Sequence, residues 1–392
     1  MGHLKNVSHA ILGQGDDFEL WEEIISHIPD ELFLKKDFKA LVVACGHATE
    51  AKVMIKRMRA LGLSPSRIKN AIVLNDKFSA HTSYWYEQGF EVVTGDFLEW
   101  ETDMKFDVVI GNPPYQKSDD NSSFTNLWAK FVHKAWSMSV RYVCMITPKT
   151  WSNQVTKDNE SSMVFGLIKN HATLVNIGEC SKYFKGVGSS FSYYVLDKAK
   201  NSSTTELVTH QGRLVVDWSE IDFLPNNIDP VCLSILKKLC SRPVFPSVSS
   251  ANTVGELSST RSKEHPYSIR YSMGTEKWSD TPHKHQNTKK LVFPNQTTKN
   301  YPIYAPKSAP ANRGVFYVVS SKREAEDMLA YIKSAPIQFL ISQQRTHHGV
   351  LNTSVIKRIP KIDLSRTWTD EELYQHFGLT QEEIDYIEAT VK

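Results

Sequence analysis

The sequence predicts an α/β protein: a mostly parallel sheet built from βα units in the first half, followed by a smaller α+β region. Three observations predict this. Short apolar runs alternate with segments of helical periodicity up to about residue 200. Those runs are continuous rather than alternating, as in strands covered on both faces. Farther on, the pattern turns to irregular Ser-, Pro- and Asn-rich sequence with short strands, which divides the chain into 1–200 and 201–392.

Taken in order, Lys39–Cys45 (KALVVAC) reads as a buried strand. Glu50–Leu61 follows with Val53, Met54, Ile55, Met58 and Leu61 at helical spacing. Ala71–Leu74 is the second strand, running into Asn75-Asp76, and a helix through Thr82–Gln88 stops at Gly89. Phe90–Val93 and Phe106–Ile110 are the next two strands, with Asp96-Phe97 just after the first of them. Asn126–Met138 is helical, and Tyr142–Ile146 is a fifth strand that stops at Thr147-Pro148. Leu174–Ile177 and Phe191–Leu196 pair as a terminal hairpin around the Gly186–Gly188 turn. Near the end, Thr369–Glu372 and Thr380–Glu383 are capping boxes, and Gly378 sits where the first of two helices stops. A helical hairpin over about 367–390 follows.

Composition narrows the function classes. The 392 residues carry 46 Lys and Arg against 43 Asp and Glu, which rules out disorder and coiled coil for the whole chain. No run approaches ~18 apolar residues, so no membrane-spanning helix is expected. The N-terminus lacks the apolar run of a secretory signal. Five scattered cysteines without a CxxC pair fit a reduced, cytoplasmic protein with neither disulfide framework nor zinc ribbon. The charge is uneven: −1 over residues 1–250, +9 over 251–360 and −5 over 361–392. The basic window also holds His265, His283, His285, His347 and His348, with Tyr267, Trp278 and Tyr301 interleaved. That is the electrostatic footprint of a polyanion reader, and a solvated basic face is the alternative.

The residues that point to chemistry are Asn112-Pro113-Pro114-Tyr115, directly after the strand FDVVIG. Consecutive prolines fix their own φ, restrict the residue before each, and donate no backbone N–H. A stiff corner therefore leaves the carboxyl end of a parallel strand, where open α/β sheets bind ligands. It presents the Asn112 side-chain oxygen and the Pro113 carbonyl as acceptors, beside the Tyr115 ring. Two acceptors on the two hydrogens of a planar amine favour a pyramidal nitrogen with a directed lone pair. The ring clamps a flat base for in-line attack.

FDVVIGNPPY resembles the S-adenosylmethionine-dependent amino-methyltransferases, in the gamma-class order of adenine-N6 DNA methylases from restriction–modification systems. The resemblance covers the first half of the chain, and the tail IPKIDLSRTWTDEELYQHFGLTQEEIDYIE adds a second patch. It implies a Rossmann-like methyltransferase sheet flanked by helices, with a C-terminal target-recognition domain. It further implies that Ala44, Cys45 and Gly46 form the cofactor loop, that Asp76 takes the ribose hydroxyls, and that Asp96 and Phe97 hold the cofactor's adenine. Ala48 stands where the family places a second glycine. The expected activity is methyl transfer from S-adenosylmethionine, without a metal, to a flipped adenine in double-stranded DNA; a cognate restriction endonuclease is a candidate partner, an orphan methylase the alternative. Lys117, Trp151, Arg345, His347 and His348 are the candidate DNA contacts. An RNA adenine methyltransferase, a protein glutamine methyltransferase and a catalytically silent DNA-binding relative are the alternatives.

Overall fold

The computed structural model describes residues 17–117, 125–152, 160–178, 183, 191–249, 255–270, 276–293, 302–310, 314–344 and 353–391. The chain divides into two compact units, Met1–Ser219 and Glu220–Lys392.

The first unit opens with helices α1 (Phe18–Ser26) and α2 (Asp30–Leu34), which the sequence pattern did not reveal. Asp17 caps α1 by accepting from the Glu19 N–H. Strand β1 (Ala40–Val43) follows, then α3 (Thr49–Ala60), α4 (Pro65–Ala71) and β2 (Ile72–Asp76). Ser64 caps α4 and Pro65 opens it, a start signal that a reading by apolar spacing passes over. Helix α5 (Ser79–Glu87) leads to β3 (Glu91–Thr94), and β4 (Phe106–Gly111) runs into the diproline corner. A two-residue ribbon pairs β5 (Gln116–Lys117) with β6 (Thr125–Asn126). Helix α6 (Leu127–Met138) buries Trp128, Phe131, Val132 and Ala135 on one face and leads to β7 (Ser139–Pro148). A short 3-10 turn at Lys149–Ser152, helix α7 (Glu160–His171) and strands β8 (Ala172–Asn176), β9 (Phe191–Asp197), β10 (Thr204–Thr209) and β11 (Gly212–Asp217) complete the unit.

These strands form one sheet in the order β3-β2-β1-β4-β7-β9-β8-β10-β11. The run from β3 to β7 is parallel, and every residue of β1, β2 and β4 is buried, as strands covered on both faces must be. Reversed strand β9 lies between β7 and β8 and is antiparallel to both. The expected Rossmann-like sheet is therefore present. Two expectations change. The β8–β9 pair is not terminal, because β10 adds to β8 in parallel and β11 adds to β10. For the same reason the first unit extends past the expected boundary at residue 200 to Ser219.

The second unit is α+β. Helix α8 (Pro230–Cys240) is capped by Asp229. Among the described residues eight short strands follow: β12 (Ser247–Ser249), β13 (Leu257–Ser258), β14 (Tyr267–Arg270), β15 (Glu276–Ser279), β16 (Lys290–Phe293), β17 (Ile303–Tyr304), β18 (Ala309–Pro310) and β19 (Val315–Val318). They make two four-stranded sheets, β12-β19-β16-β17 and β13-β15-β14-β18. Helices α9 (Lys322–Lys333), α10 (Ala335–Ser342), α11 (Thr353–Ile356), α12 (Asp370–Phe377) and α13 (Gln381–Val391) pack a core that includes Leu236, Phe339, Leu373 and Ile387. Both predicted capping boxes form, at Thr369–Glu372 and Thr380–Glu383, and Gly378 ends α12 at φ 65°.

Candidate active site

The site is built where two neighbouring strands end. β1 and β4 are parallel and in register, Val43 level with Gly111, so the loop after β1 and the diproline corner leave the sheet side by side. Close approach makes this possible. A Cβ added to Gly111 would lie 2.3 Å from the Val43 carbonyl oxygen and 2.7 Å from Val43 Cγ2, so only glycine fits there. Sequence reading passed over Gly111, because a glycine at a strand end reads as ordinary punctuation.

After β1 the backbone turns through the left-handed region at Ala44 (φ 51°), Gly46 (φ 47°) and Ala48 (φ 52°). Two of these three carry a Cβ, which this conformation disfavours by ~1–2 kcal/mol each. Ala48 is wholly buried at the start of α3, so its methyl packs into the protein rather than into the loop's hollow. The space over Gly46 is open: a Cβ there would meet nothing within 4 Å, and the same holds at Gly95 after β3. Burial, and the nearby Glu50 and Asp76 charges, push the Cys45 thiol well above its ordinary pKa, so it remains protonated.

Asp76, at the end of β2, ties the loop down. Its Oδ2 accepts from the Gly46 N–H at 2.9 Å, and its Oδ1 accepts from the Phe78 N–H at 2.9 Å and meets His81 Nδ1 at 3.0 Å. The two carboxylate oxygens have about four lone-pair sites, so roughly one is left for a ligand hydroxyl. His81 was absent from the sequence-derived set; its place in the first turn of α5, five residues after Asp76, was the available signal. Asp96 is partly exposed, with Oδ1 accepting from Leu98 N–H and Oδ2 3.5 Å from Lys77 Nζ. Phe97 packs inward. Its ring is 2% exposed, lies 5.2 Å from that of Phe131, and has Lys134 Nζ 5.5 Å from its centre. Its ring packs among the core side chains.

At the corner itself, Asn112 is half-buried, Pro113 buried and Pro114 exposed. The Tyr115 hydroxyl donates to Asn112 Oδ1, and the Tyr115 ring packs 5.0 Å from that of Phe191 at a 40° tilt. The two residues that the sequence singled out are thus held against one another. Phe191, the first residue of β9, joins them through a reversed strand that no local pattern placed beside β7.

Of the other candidates, Trp151 is corrected to a core residue. It is 1% exposed, donates from Nε1 to Ser192 Oγ at 2.8 Å and stacks on Phe165. Lys117 lies in β5, and its side chain is outside the described set, as are Arg345, His347 and His348. No group of three or more His, Cys, Asp or Glu arranged to hold a metal occurs among the described residues, and no described helix is long and apolar enough to cross a membrane.

Comparison with known proteins adds three findings. Residues 47–178 match the Eco57I restriction-modification methylase family. An uncharacterized adenine-specific methylase of Mycoplasma pneumoniae is 46% identical over 52 residues, 12% of this chain and 12% of that protein. A nuclease-deletion mutant of the Type ISP restriction-modification enzyme LlaGI, solved in complex with a DNA substrate mimic, is similar in fold over 88% of this chain and 52% of that one. Its TM-score is 0.50 at 12% identity. The chain therefore spans only part of each: about an eighth of the curated relative and about half of the solved one.

Proposed function

We propose, on the premise that residues 47–178 belong to the Eco57I restriction-modification methylase family, that the protein transfers a methyl group from S-adenosylmethionine to the N6 amine of an adenine extruded from double-stranded DNA. One observation carries this reading: the diproline corner and the open glycine loop leave adjacent strands locked in register at Val43 and Gly111, which sets an amine-gripping corner beside the open backbone at Gly46.

The chain's residues fit the cofactor. A Cβ at Gly46 or at Gly95 would meet nothing within 4 Å, and the carboxylates of Asp76 and Asp96 follow the neighbouring strands β2 and β3, a negative surround suited to a cationic sulfonium compound. When bound, S-adenosylmethionine supplies an electrophilic methyl group that an amine attacks directly. Gly46 and Asp76 hold the methionine and ribose ends, with Asp96 accepting from the cofactor's adenine amine. At the corner, Asn112 Oδ1 and the Pro113 carbonyl accept the two hydrogens of the target amine and direct its lone pair. Asn112 suits this role better than an aspartate, whose charge would have to be stripped of water. The ring of Tyr115, backed by Phe191, clamps the base. Extrusion of the base costs a few kcal/mol, which stacking and the two acceptors offset. The positive window 251–360 supplies phosphate contacts in the second unit and the choice of sequence, and a cognate restriction endonuclease is the partner enzyme. The protein acts in the cytoplasm.

The test maps methylated adenines in DNA from cells that express the protein, then follows transfer to a duplex carrying the mapped site. Asn112→Ala and Tyr115→Ala are each expected to slow transfer by about 10²-fold or more, with S-adenosylmethionine affinity by calorimetry nearly unchanged. Wild-type turnover in both variants would remove the corner from the chemistry. Methylation of matched RNA, or of a glutamine-bearing protein, in place of DNA would favour the corresponding alternative.

A further inference from the structure

Lys149 is placed beside the catalytic corner on the side away from the cofactor loop. Strand order is β1-β4-β7, so β4 and its corner stand between the two. β4 ends at Gly111, level with Met145, and β7 continues through Pro148, which is level with Phe191, the residue whose ring packs on Tyr115. Lys149 is the next residue. The turn that carries it is pinned, because Trp151 donates to Ser192 Oγ and Ser192 donates to the Thr147 carbonyl.

Lys149 is half-buried, and that burial pulls its ammonium below the ordinary lysine range. No described carboxylate or carbonyl accepts from it. A partly desolvated ammonium with no anion beside it among the described residues costs the fold free energy, so an anion brought by a ligand is the natural complement. A base that enters beside Asn112 and Tyr115 brings its own backbone phosphates to the edge of the corner.

We infer that Lys149 binds a phosphate that flanks the extruded adenosine and so positions the target base in the corner. This rests on the methyltransferase reading above. The cofactor's carboxylate is the competing anion, but it belongs to the β1 side of the corner.

The test uses the full chain, a duplex bearing the mapped site, and the same duplex with neutral methylphosphonates in place of the two phosphates flanking the target adenine. K149M is expected to raise KM for DNA about tenfold and to flatten the dependence of log KM on log salt by about 0.9, the value for one phosphate contact. K149R should recover most of the loss. Wild type on the methylphosphonate duplex should show the same loss, and K149M no further loss there. K149M should also melt no lower than wild type, since a partly desolvated charge has been removed. An unchanged salt slope, additive losses on the neutral duplex, a lower melting temperature, or weakened S-adenosylmethionine binding by calorimetry would each overturn the assignment. A wild-type protein that methylates no DNA would sink the functional reading itself, and the phosphate role with it.

Discussion

Replacement of Gly111 by alanine tests the junction on which the site depends. The added Cβ would sit 2.3 Å from the Val43 carbonyl oxygen, about 1 Å inside the ~3.3 Å closest approach usual for carbon and oxygen. The clash is with backbone, so no side-chain rotation relieves it, and β4 must move away from β1 by most of that ångström. Three further pairs tie the strands together, Ala40–Val108, Leu41–Val109 and Val42–Ile110, and they resist the shift. Overpacking of this kind costs about 1–3 kcal/mol. The displacement falls directly on Asn112, the next residue, and a 1 Å misplacement of a reacting group is worth about 10²-fold in rate. The expected outcome is a protein that folds with a lowered urea midpoint and transfers methyl groups about a hundredfold more slowly, with the loss in kcat. Because Val43 leads into the Ala44–Ala48 turn, a modest rise in the S-adenosylmethionine dissociation constant should accompany it. Wild-type stability together with wild-type kcat would refute the argument that this register sets the geometry.

Two further outcomes are expected. Asp76→Asn places an amide nitrogen among three donors, from Gly46, Phe78 and His81; calorimetry should show cofactor affinity at least ~10-fold weaker, and stability should fall by about 1–3 kcal/mol. Unaltered affinity would dismiss Asp76 from the cofactor site. Lys290 is fully buried, donates to the His285 and Thr288 carbonyls at 2.7 Å each, and has its pKa pulled down from 10.5 to about 8 by burial. Below that value both folded and unfolded states are charged, and the fold bears the whole desolvation cost. Between about 8 and 10.5 the folded state releases its proton first, the unfolded state binds more protons, and stability rises with pH. Relative to K290M, wild type should gain about 2 kcal/mol between roughly pH 7.5 and 9.5 in urea unfolding; parallel curves for the two proteins would show that Lys290 keeps an ordinary pKa.

Much of the fold was legible because its signals are local. Asn112–Tyr115 stood out since two prolines restrict the chain wherever they occur. Both capping boxes and the Gly378 stop also form as read, because each involves residues three or four apart. Helix α4 escaped notice because its start lies in Ser64-Pro65 rather than in apolar spacing. In the site, Asp76 and Gly46 were marked by sequence, whereas His81 was not, since a histidine five residues beyond an aspartate has no pattern of its own.

By itself, then, the amino-acid order determined the alternation of strands and helices, the stiff corner at the end of β4 and the positive stretch in the second half. All of these follow from neighbours in the chain. Only the tertiary structure decided which rings pack against which. Phe97 and Trp151 went into the core because α6 and α7 bring Phe131 and Phe165 against them, while Phe191 came to Tyr115 because β9 turns back between β7 and β8. An aromatic side chain is equally at home buried or clamping a base, and packing between distant segments makes the choice.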